Sequence, residues 1–397
     1  MRVLIANDGF ADAGGVQTYL DAVAPALASR GHELALLHST SSAPPAVREA
    51  AERAAWWTTR IPVAEVGVDR ALAAVAAWAP DVCFSHNMFR LDVESGLLRL
   101  TPVVKFMHGY FGSCIGGQKM FRFPQAAPCD RKFGVPCLAL YLPRGCGERD
   151  PAKMMRHYRW ARRQQALFSD YAAIIVASGH MQREYVRNGA DTERVYVAPL
   201  FAGRRASPAH PSVPASVVFC GRMTTLKGGD VLIAAVADAS RRLGAAIPLA
   251  MIGDGPQREA WERRALQLGV ASRFTGWLSG DALWQEMGRA TLLAVPSTWP
   301  EPFGLVGIEG ASLGVPAIAF DVGGIREWLR PGENGYLVPA SPPRATALGR
   351  VLAGALVDPA TAAMRVSALR VAGELSLTRH IDGVEPILLD ARRRVVP

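Results

Sequence analysis

Residues 297–337, STWPEPFGLVGIEGASLGVPAIAFDVGGIREWLRPGENGYL, constrain the fold more than any other part of the chain. Ahead of them TLLAVPS (291–297) is a short apolar run of strand type, and a loop with two prolines follows. Helical spacing begins near Leu305 and stops at Gly314, a residue suited to a left-handed cap. A strand that turns into a helix in this way leaves backbone N–H groups unpaired at the helix start, and their partial positive charge suits a phosphate. Glu301 lies on the loop and Glu309 a little over one turn into the helix, so two carboxylates flank the anion site. Carboxylates accept hydrogen bonds from neighbouring hydroxyls, which places a ribose on one side of the phosphate and a sugar on the other. Gly304, Gly307 and Gly310 remove side chains where something must approach the backbone. Taken singly, each glutamate also reads as a helix-start acid or a solvated position; together the features point to a sugar nucleotide.

The rest of the chain supplies a scaffold for such a site. RVLIA (2–6), HELALLHS (32–39), DVCFSHN (81–87), PVVKFMH (102–108) and YAAIIVAS (171–178) read as strands, with helical patterns at 16–29, 45–57 and 70–78 between them. Strands alternating with helices imply an α/β fold with a parallel sheet covered on both faces, whose ligands lie beyond the carboxyl ends of the strands. That rule singles out Gly14, Gly15, Asn87 and His108. A glycine pair also makes an ordinary tight turn, and a strand-end histidine an ordinary structural hydrogen bond. Residues 201–216, FAGRRASPAHPSVPAS, read as a linker, after which VVFCGR (217–222) restarts the pattern. Arg222 and Lys227 stand at a strand end and a helix start, where two cations suit a diphosphate.

At 397 residues the chain is long enough for two cores: 1–200, completed by a C-terminal helix at 376–397, and 217–375. Half its residues are hydrophobic and 20% charged, a globular composition. The +9 formal charge suits nucleic acid, an anionic membrane or a phosphorylated ligand, and no nucleic-acid motif accompanies it. The absence of an eighteen-residue apolar run, and a strand beginning at Arg2, give the expectation of a cytoplasmic protein, with peripheral membrane contact left open. A basic helix at 153–168, KMMRHYRWARRQQALF, suits an anionic lipid surface or an acidic acceptor, or is simply a solvated face.

Residues 109–151 carry four of the six cysteines, Cys114, Cys129, Cys137 and Cys146, without a C-x2-C pair. In a presumed cytosolic protein they fit a structural zinc; disulfides and free thiols are the alternatives. In each case the expected role is to staple a loop over the acceptor side.

Glu301-Pro-Phe-Gly-Leu, then Glu309, Gly-Val-Pro-Ala-Ile-Ala, Asp-Val-Gly-Gly-Ile-Arg-Glu and Gly-Glu-Asn-Gly-Tyr-Leu-Val resemble the donor-site signature of the retaining glycosyltransferases of family 4. Gly-Arg222 followed by Lys227-Gly is similar to that family's phosphate-binding motif. The resemblance implies the GT-B fold, two Rossmann-like domains facing each other across a cleft. It implies transfer of a sugar from a nucleoside-diphosphate sugar, UDP- or GDP-linked, to a hydroxyl acceptor, or else a binder of the same fold without turnover. Glu301 and His108 are then placed at the donor sugar and Glu309 at the ribose. Arg222 and Lys227 fall at the diphosphate, Gly14 and Gly15 near the phosphates and acceptor, and Phe303, Gly304 and Leu305 at the helix start. Asp254 and Trp277 become neighbours of the base. No metal or other cofactor is implied for catalysis, and no Asp-x-Asp motif is present. Departures are Gly310-Ala311-Ser312 in place of Ala-Met-Ala, and Ala198-Pro199-Leu200 where relatives carry a Pro-Asn-Gly turn.

Overall fold

The computed structural model describes residues 1–9, 15–40, 55–203 and 215–394. Gly14, most of the expected helix at 45–57 and most of the expected linker at 201–216 lie outside them. In the first half, β1 (Arg2–Gly9), β2 (Glu33–Thr40), β3 (Trp57–Pro62), β4 (Val82–Ser85) and β5 (Val103–Met107) form a parallel sheet. A short hairpin, β6 (Met120–Phe121) and β7 (Ala127–Pro128), then stands apart before β8 (Ala173–Val176) and β9 (Val195–Val197) complete the sheet. The order is β3-β2-β1-β4-β5-β8-β9. Its central strands are buried along their whole length because helices cover both faces, so VCFS and VVKFM carry no polar–apolar alternation.

Strand β3 corrects the end of the expected helix at 45–57, since Trp57 opens a strand. TTRIP is polar on an edge, where one side of the ladder faces solvent, and so lacks the apolar run of the inner strands.

The second sheet is also parallel, in the order β12-β11-β10-β13-β14-β15. Its strands are β10 (Val217–Cys220), β11 (Leu249–Ile252), β12 (Ser272–Gly276), β13 (Leu292–Val295), β14 (Ala317–Phe320) and β15 (Gly335–Val338). Both sheets start in the middle, wind outward one way and return to wind the other. Each therefore has a point where the strand order reverses, β1/β4 in the first and β10/β13 in the second, and the loops diverge there to leave a crevice.

The helices that bear on the site are α1 (Gly15–Ser29), α2 (Val68–Trp78), α3 (Leu91–Leu100), α4 (Pro136–Tyr141), α5 (Pro151–Ala166) and α6 (Gly179–Arg187) in the first half. The second half adds α7 (Gly229–Leu243), α8 (Arg258–Gln267), α9 (Gly280–Gly288), α10 (Leu305–Ser312), α11 (Ala345–Val357), α12 (Ala360–Glu374) and α13 (Leu377–Ala391). Ser178 caps α6 through its hydroxyl, which accepts from the Met181 N–H. The last helix, α13, returns to the first sheet and packs on α1, β4, β5 and β8. Arg30 at the end of α1 donates to Glu385 at 2.6 Å and to Asp382 at 2.5 Å. Among the described residues no helix is long and apolar enough to cross a membrane.

Beneath the first crevice lies a polar network that sequence reading did not find. The Lys105 ammonium stands 3.0 Å from Glu94 and 3.1 Å from the Ser85 hydroxyl, which itself donates to Glu94 at 2.9 Å. All three are buried. Removing one member of a buried pair leaves an uncompensated charge. Lys105→Met is therefore expected to destabilise the protein by about 3–5 kcal/mol in chemical denaturation. Glu94→Leu with Lys105→Met should recover most of that loss.

Candidate active site

The second crevice brings together residues far apart in sequence. The loop after β10 carries Lys227 and the loop after β13 carries Glu301, and the two side chains meet with Nζ donating to Oε1 at 2.6 Å. Ser297 Oγ donates to the same oxygen at 2.5 Å. Glu301 is only 3% exposed, so the cation and the hydroxyl hold a carboxylate that would otherwise stand desolvated. Cys220, at the end of β10, has its thiol pushed up to about 12 by burial and then by the charge of Glu309, which places Glu309 close to the same strand end. Burial also raises the Glu309 carboxyl above its ordinary range.

Backbone contacts fix the Glu301 loop. Its carbonyl accepts from the Gly324 N–H at 2.7 Å, and a Cβ on Gly323 would lie 2.2 Å from that carbonyl oxygen, at φ +58°. The Phe303 carbonyl accepts from the buried Trp328 indole at 2.7 Å. Gly304 precedes α10 at φ +89°, a conformation that favours glycine. Gly307 and Gly310 have a different cause from ligand approach. Cβ atoms there would meet the Trp328 ring at 2.1 Å and the Leu293 side chain at 2.5 Å, so it is the protein's own core that comes close. Leu305 opens α10, and no side chain caps that end.

The remaining donor-side candidates are spread around this centre. Arg222 is exposed and makes no side-chain hydrogen bond or ion pair among the described residues. Asp254 is tied to its own loop, accepting from the Gly255 N–H at 2.7 Å and from Arg258 at 3.2 Å. Trp277 is 67% exposed. Gly15 is the first residue of α1, with open space where a Cβ would stand.

His108 lies at the carboxyl end of β5, in the first crevice. Its Nε2 is 3.0 Å from His86 Nδ1, and its ring stacks on Phe106. Tyr19 stands edge-on to it, and the Tyr19 hydroxyl meets His380 Nε2 of α13 at 2.9 Å. Burial first, then Lys105 and His380, lowers His108 to about 3, so its imidazole is neutral at physiological pH. The same burial holds His380 at about 4 and His86 well below the ordinary range.

The two crevices face each other. Tyr110, two residues after His108, packs edge-on against Trp299, two residues before Glu301, with ring centroids 6.4 Å apart. Glu327 accepts from the Gly179 N–H across the cleft at 2.7 Å. Sequence reading missed Trp299, whose indole N–H is buried with no partner among the described residues while Lys227 sits over its ring. It also missed Ser297, Tyr110 and His86. The signal was present for Trp299 and Ser297, which lie inside the stretch first singled out.

The four cysteines of 109–151 are all half-buried free thiols. They are near enough for Cys114, Cys129 and Cys137, after burial, to help push Cys146 up to about 12. Among the described residues no group of three or more His, Cys, Asp or Glu side chains is placed to hold a metal ion.

Two family models match the chain: glycosyltransferase family 4 over residues 13–201 and glycosyl transferases group 1 over residues 204–368. The chain belongs to the GT-B glycosyltransferases. It is 32% identical over 246 residues to a D-inositol 3-phosphate glycosyltransferase of Streptomyces griseus, covering 57% of this chain and 51% of that protein. Over 210 residues it is 31% identical to a glycogen synthase of Mycobacterium tuberculosis, covering 52% and 47%. The aligned part is thus about half the length of these relatives. Among solved structures, Anabaena Alr3699/HepE in complex with UDP superposes with a TM-score of 0.68 at 18% identity, covering 98% of this chain and all of that one. The lipopolysaccharide outer core galactosyltransferase WaaB gives 0.66 at 14%, covering 97% and 99%. At those identities the likeness shows the fold, and GT-B is the fold seen here.

The depressed histidines set an acid limit on this GT-B chain. The unfolded chain takes up protons on His108 and His380 below about pH 6.5, whereas the folded state resists until about 3 and about 4 respectively, and buried His86 acts in the same direction. Their contribution to stability is present above pH 6.5 and is lost as pH falls through that window. The melting temperature should decline from about pH 6.5 towards 4, and His380→Gln should flatten the decline.

Proposed function

We propose that the chain is a retaining glycosyltransferase that moves a hexosyl group from a nucleoside-diphosphate sugar to a hydroxyl acceptor. The observation that carries this reading is the Lys227–Glu301 pair, set by two loops at the reversal point of the second sheet. In the reading, Lys227 and the exposed Arg222 take the diphosphate, with the uncapped N–H groups of α10 beside them. On binding, Lys227 exchanges part of its contact with Glu301 for phosphate, and Glu301 turns to the sugar hydroxyls. Glu309 takes the ribose hydroxyls, Asp254 and Trp277 lie towards the base, and Gly14 and Gly15 near the phosphates.

Cleavage of the bond between the anomeric carbon and the phosphate leaves an oxocarbenium-like sugar and a growing negative charge on the leaving group. Donors already aimed at that charge stabilise it without reorganisation. The departing phosphate takes the acceptor's proton as the new bond forms on the same face, which retains configuration. Glu301, bound by Lys227 and Ser297, is a poor nucleophile, which is why a double-displacement route on a glutamate is not part of this proposal. Neutral His108 donates or accepts one hydrogen bond at the sugar without adding charge.

A uridine nucleotide is the first donor to try, because the Anabaena protein was solved with UDP and with UDP-glucose. In a thermal-shift screen of UDP, GDP, ADP and TDP with their sugar conjugates, the cognate nucleotide at about 100 times its dissociation constant adds roughly 2.7 kcal/mol. The resulting rise in melting temperature should vanish in Lys227→Ala and shrink in Glu309→Ala. No rise with any nucleotide would sink the proposal; a rise without sugar release or transfer would leave a binder instead. With turnover established, Lys227→Ala should lower the transfer rate by about 3–4 kcal/mol of transition-state stabilisation.

Structural zinc on Cys114, Cys129, Cys137 and Cys146 is a separate proposal, supported by their gathering in one loop and requiring the thiols to turn towards one another. Metal analysis with thiol titration tests it. One zinc per chain with four protected thiols is the expected result, and a metal-free protein with four reactive thiols would overturn it.

A further inference from the structure

The loop region 109–151 ends in a surface that nothing among the described residues covers. Helix α4 is only six residues long, yet it exposes its apolar side: Val135 just before it is 68% exposed and Leu142 just after it is 41% exposed. Ala139 is exposed between them, and spacings of four and seven residues put the three on one face. The opposite face is spent on a small core in which Tyr141, Phe133 and Ala161 of α5 are buried, with Cys137, Leu138 and Tyr158 of α5 packed against them. Phe123, at the tip of the β6–β7 hairpin, is 64% exposed. It lies against the end of α4, because the Arg122 and Phe123 N–H groups both donate to the Arg144 carbonyl. Phe123, Val135 and Leu142 thus form one apolar tip, whereas Leu266 and Val366, also well exposed, stand on separate helices of the second half.

The charges carried by this stretch are all but one positive. Between 119 and 147 the only acidic residue is Asp130, against Lys119, Arg122, Arg131, Lys132 and Arg144. Lys119 is buried against Glu184 at 2.7 Å. The other four cations make no ion pair among the described residues, and Arg144 lies over the Phe121 ring. Glu148 and Asp150, the next acids along, are engaged by Lys153 and by the first N–H groups of α5. Helix α5 continues the cationic surface with Arg156, Arg159 and Arg163, all exposed and spaced along one stripe.

Bulky apolar side chains pointing outward inside a ring of cations match the boundary of an anionic bilayer. There the side chains enter the headgroup region and the cations meet lipid phosphates. A globular protein partner would need matching acids around an apolar socket; a bilayer needs only negative surface density. We propose that this tip is a docking surface for anionic lipid membranes. The segment begins at the residue after His108, so docking would turn the first crevice towards lipid and give the acceptor side access to a hydroxyl at the membrane surface. The docking inference does not depend on the transfer reaction.

Co-sedimentation of the full chain with phosphatidylcholine vesicles, alone or with about a third phosphatidylglycerol, tests it at low and high salt. Binding is expected only to the anionic vesicles and should weaken with salt. Phe123→Ser with Leu142→Ser should reduce it about tenfold or more. Arg131→Glu with Lys132→Glu should reduce it by roughly fivefold per cation removed. The thermal-shift response to nucleotide, read at the other sheet, should be unchanged in all variants and shows that they are folded. Three outcomes would overturn the proposal: no sedimentation with anionic vesicles at low salt, sedimentation that ignores Phe123 and Leu142, or a wild-type dimer that Leu142→Ser converts to monomer without affecting sedimentation.

Discussion

A buried carboxylate next to an ammonium organises the second half of this molecule. Glu301 is too enclosed to stand alone as an anion, and Lys227 and Ser297 hold its charge between them. For the three to meet, two strands that are neighbours in space but distant in sequence must release their loops on the same side of the sheet. Only a doubly wound order with β10 beside β13 does this. Gly228 shows how close the two loops run, since a Cβ there would lie 2.1 Å from the Pro296 carbonyl oxygen. The pair is therefore a consequence of topology as much as of residue choice. In a ligand-free cleft it also keeps Lys227 from spending its charge on solvent.

The first half solves a different problem. Its crevice is lined with aromatic rings and histidines in place of an ion pair, and Lys105 sits beneath as a fixed positive charge. That charge and the burial act in the same direction, keeping the imidazoles neutral. One side of the cleft thus presents charge and the other presents uncharged hydrogen-bonding groups. Such a division suits a ligand that is ionic at one end and hydroxylated at the other.

Much of this was legible in the sequence, and the parts that were not have physical reasons. Inner strands such as AIIV and LLAV announce themselves because burial on both faces demands continuous apolar residues. The edge strand β3 does not, because TTRIP faces solvent on one side and its β character comes from pairing with β2. Glu301, Glu309 and Lys227 could be picked out by position relative to strand ends. His86 could not: it acquires meaning only from lying 3.0 Å from His108 across two strands. Trp299 is similar, for its unpaired indole N–H is a property of the folded cleft. Gly307 and Gly310 were recognised as close approaches, but sequence alone does not tell a ligand from Trp328 or Leu293.

Helix α13 lies against the first sheet although the whole second sheet separates them in sequence. His380 touches Tyr19, Phe106 and Phe201, and Arg30 is clamped by Asp382 and Glu385. On the ribosome, the first sheet is finished when β9 emerges, yet one of its faces waits for roughly 180 further residues before its cover arrives. At ordinary synthesis rates that interval is on the order of ten seconds or more. During it, Phe106 and its neighbours offer an open apolar surface to chaperones, and the nascent second sheet must fold beside an unfinished partner. The cleft therefore acquires its shape only once α13 has packed back onto the first sheet, and not domain by domain.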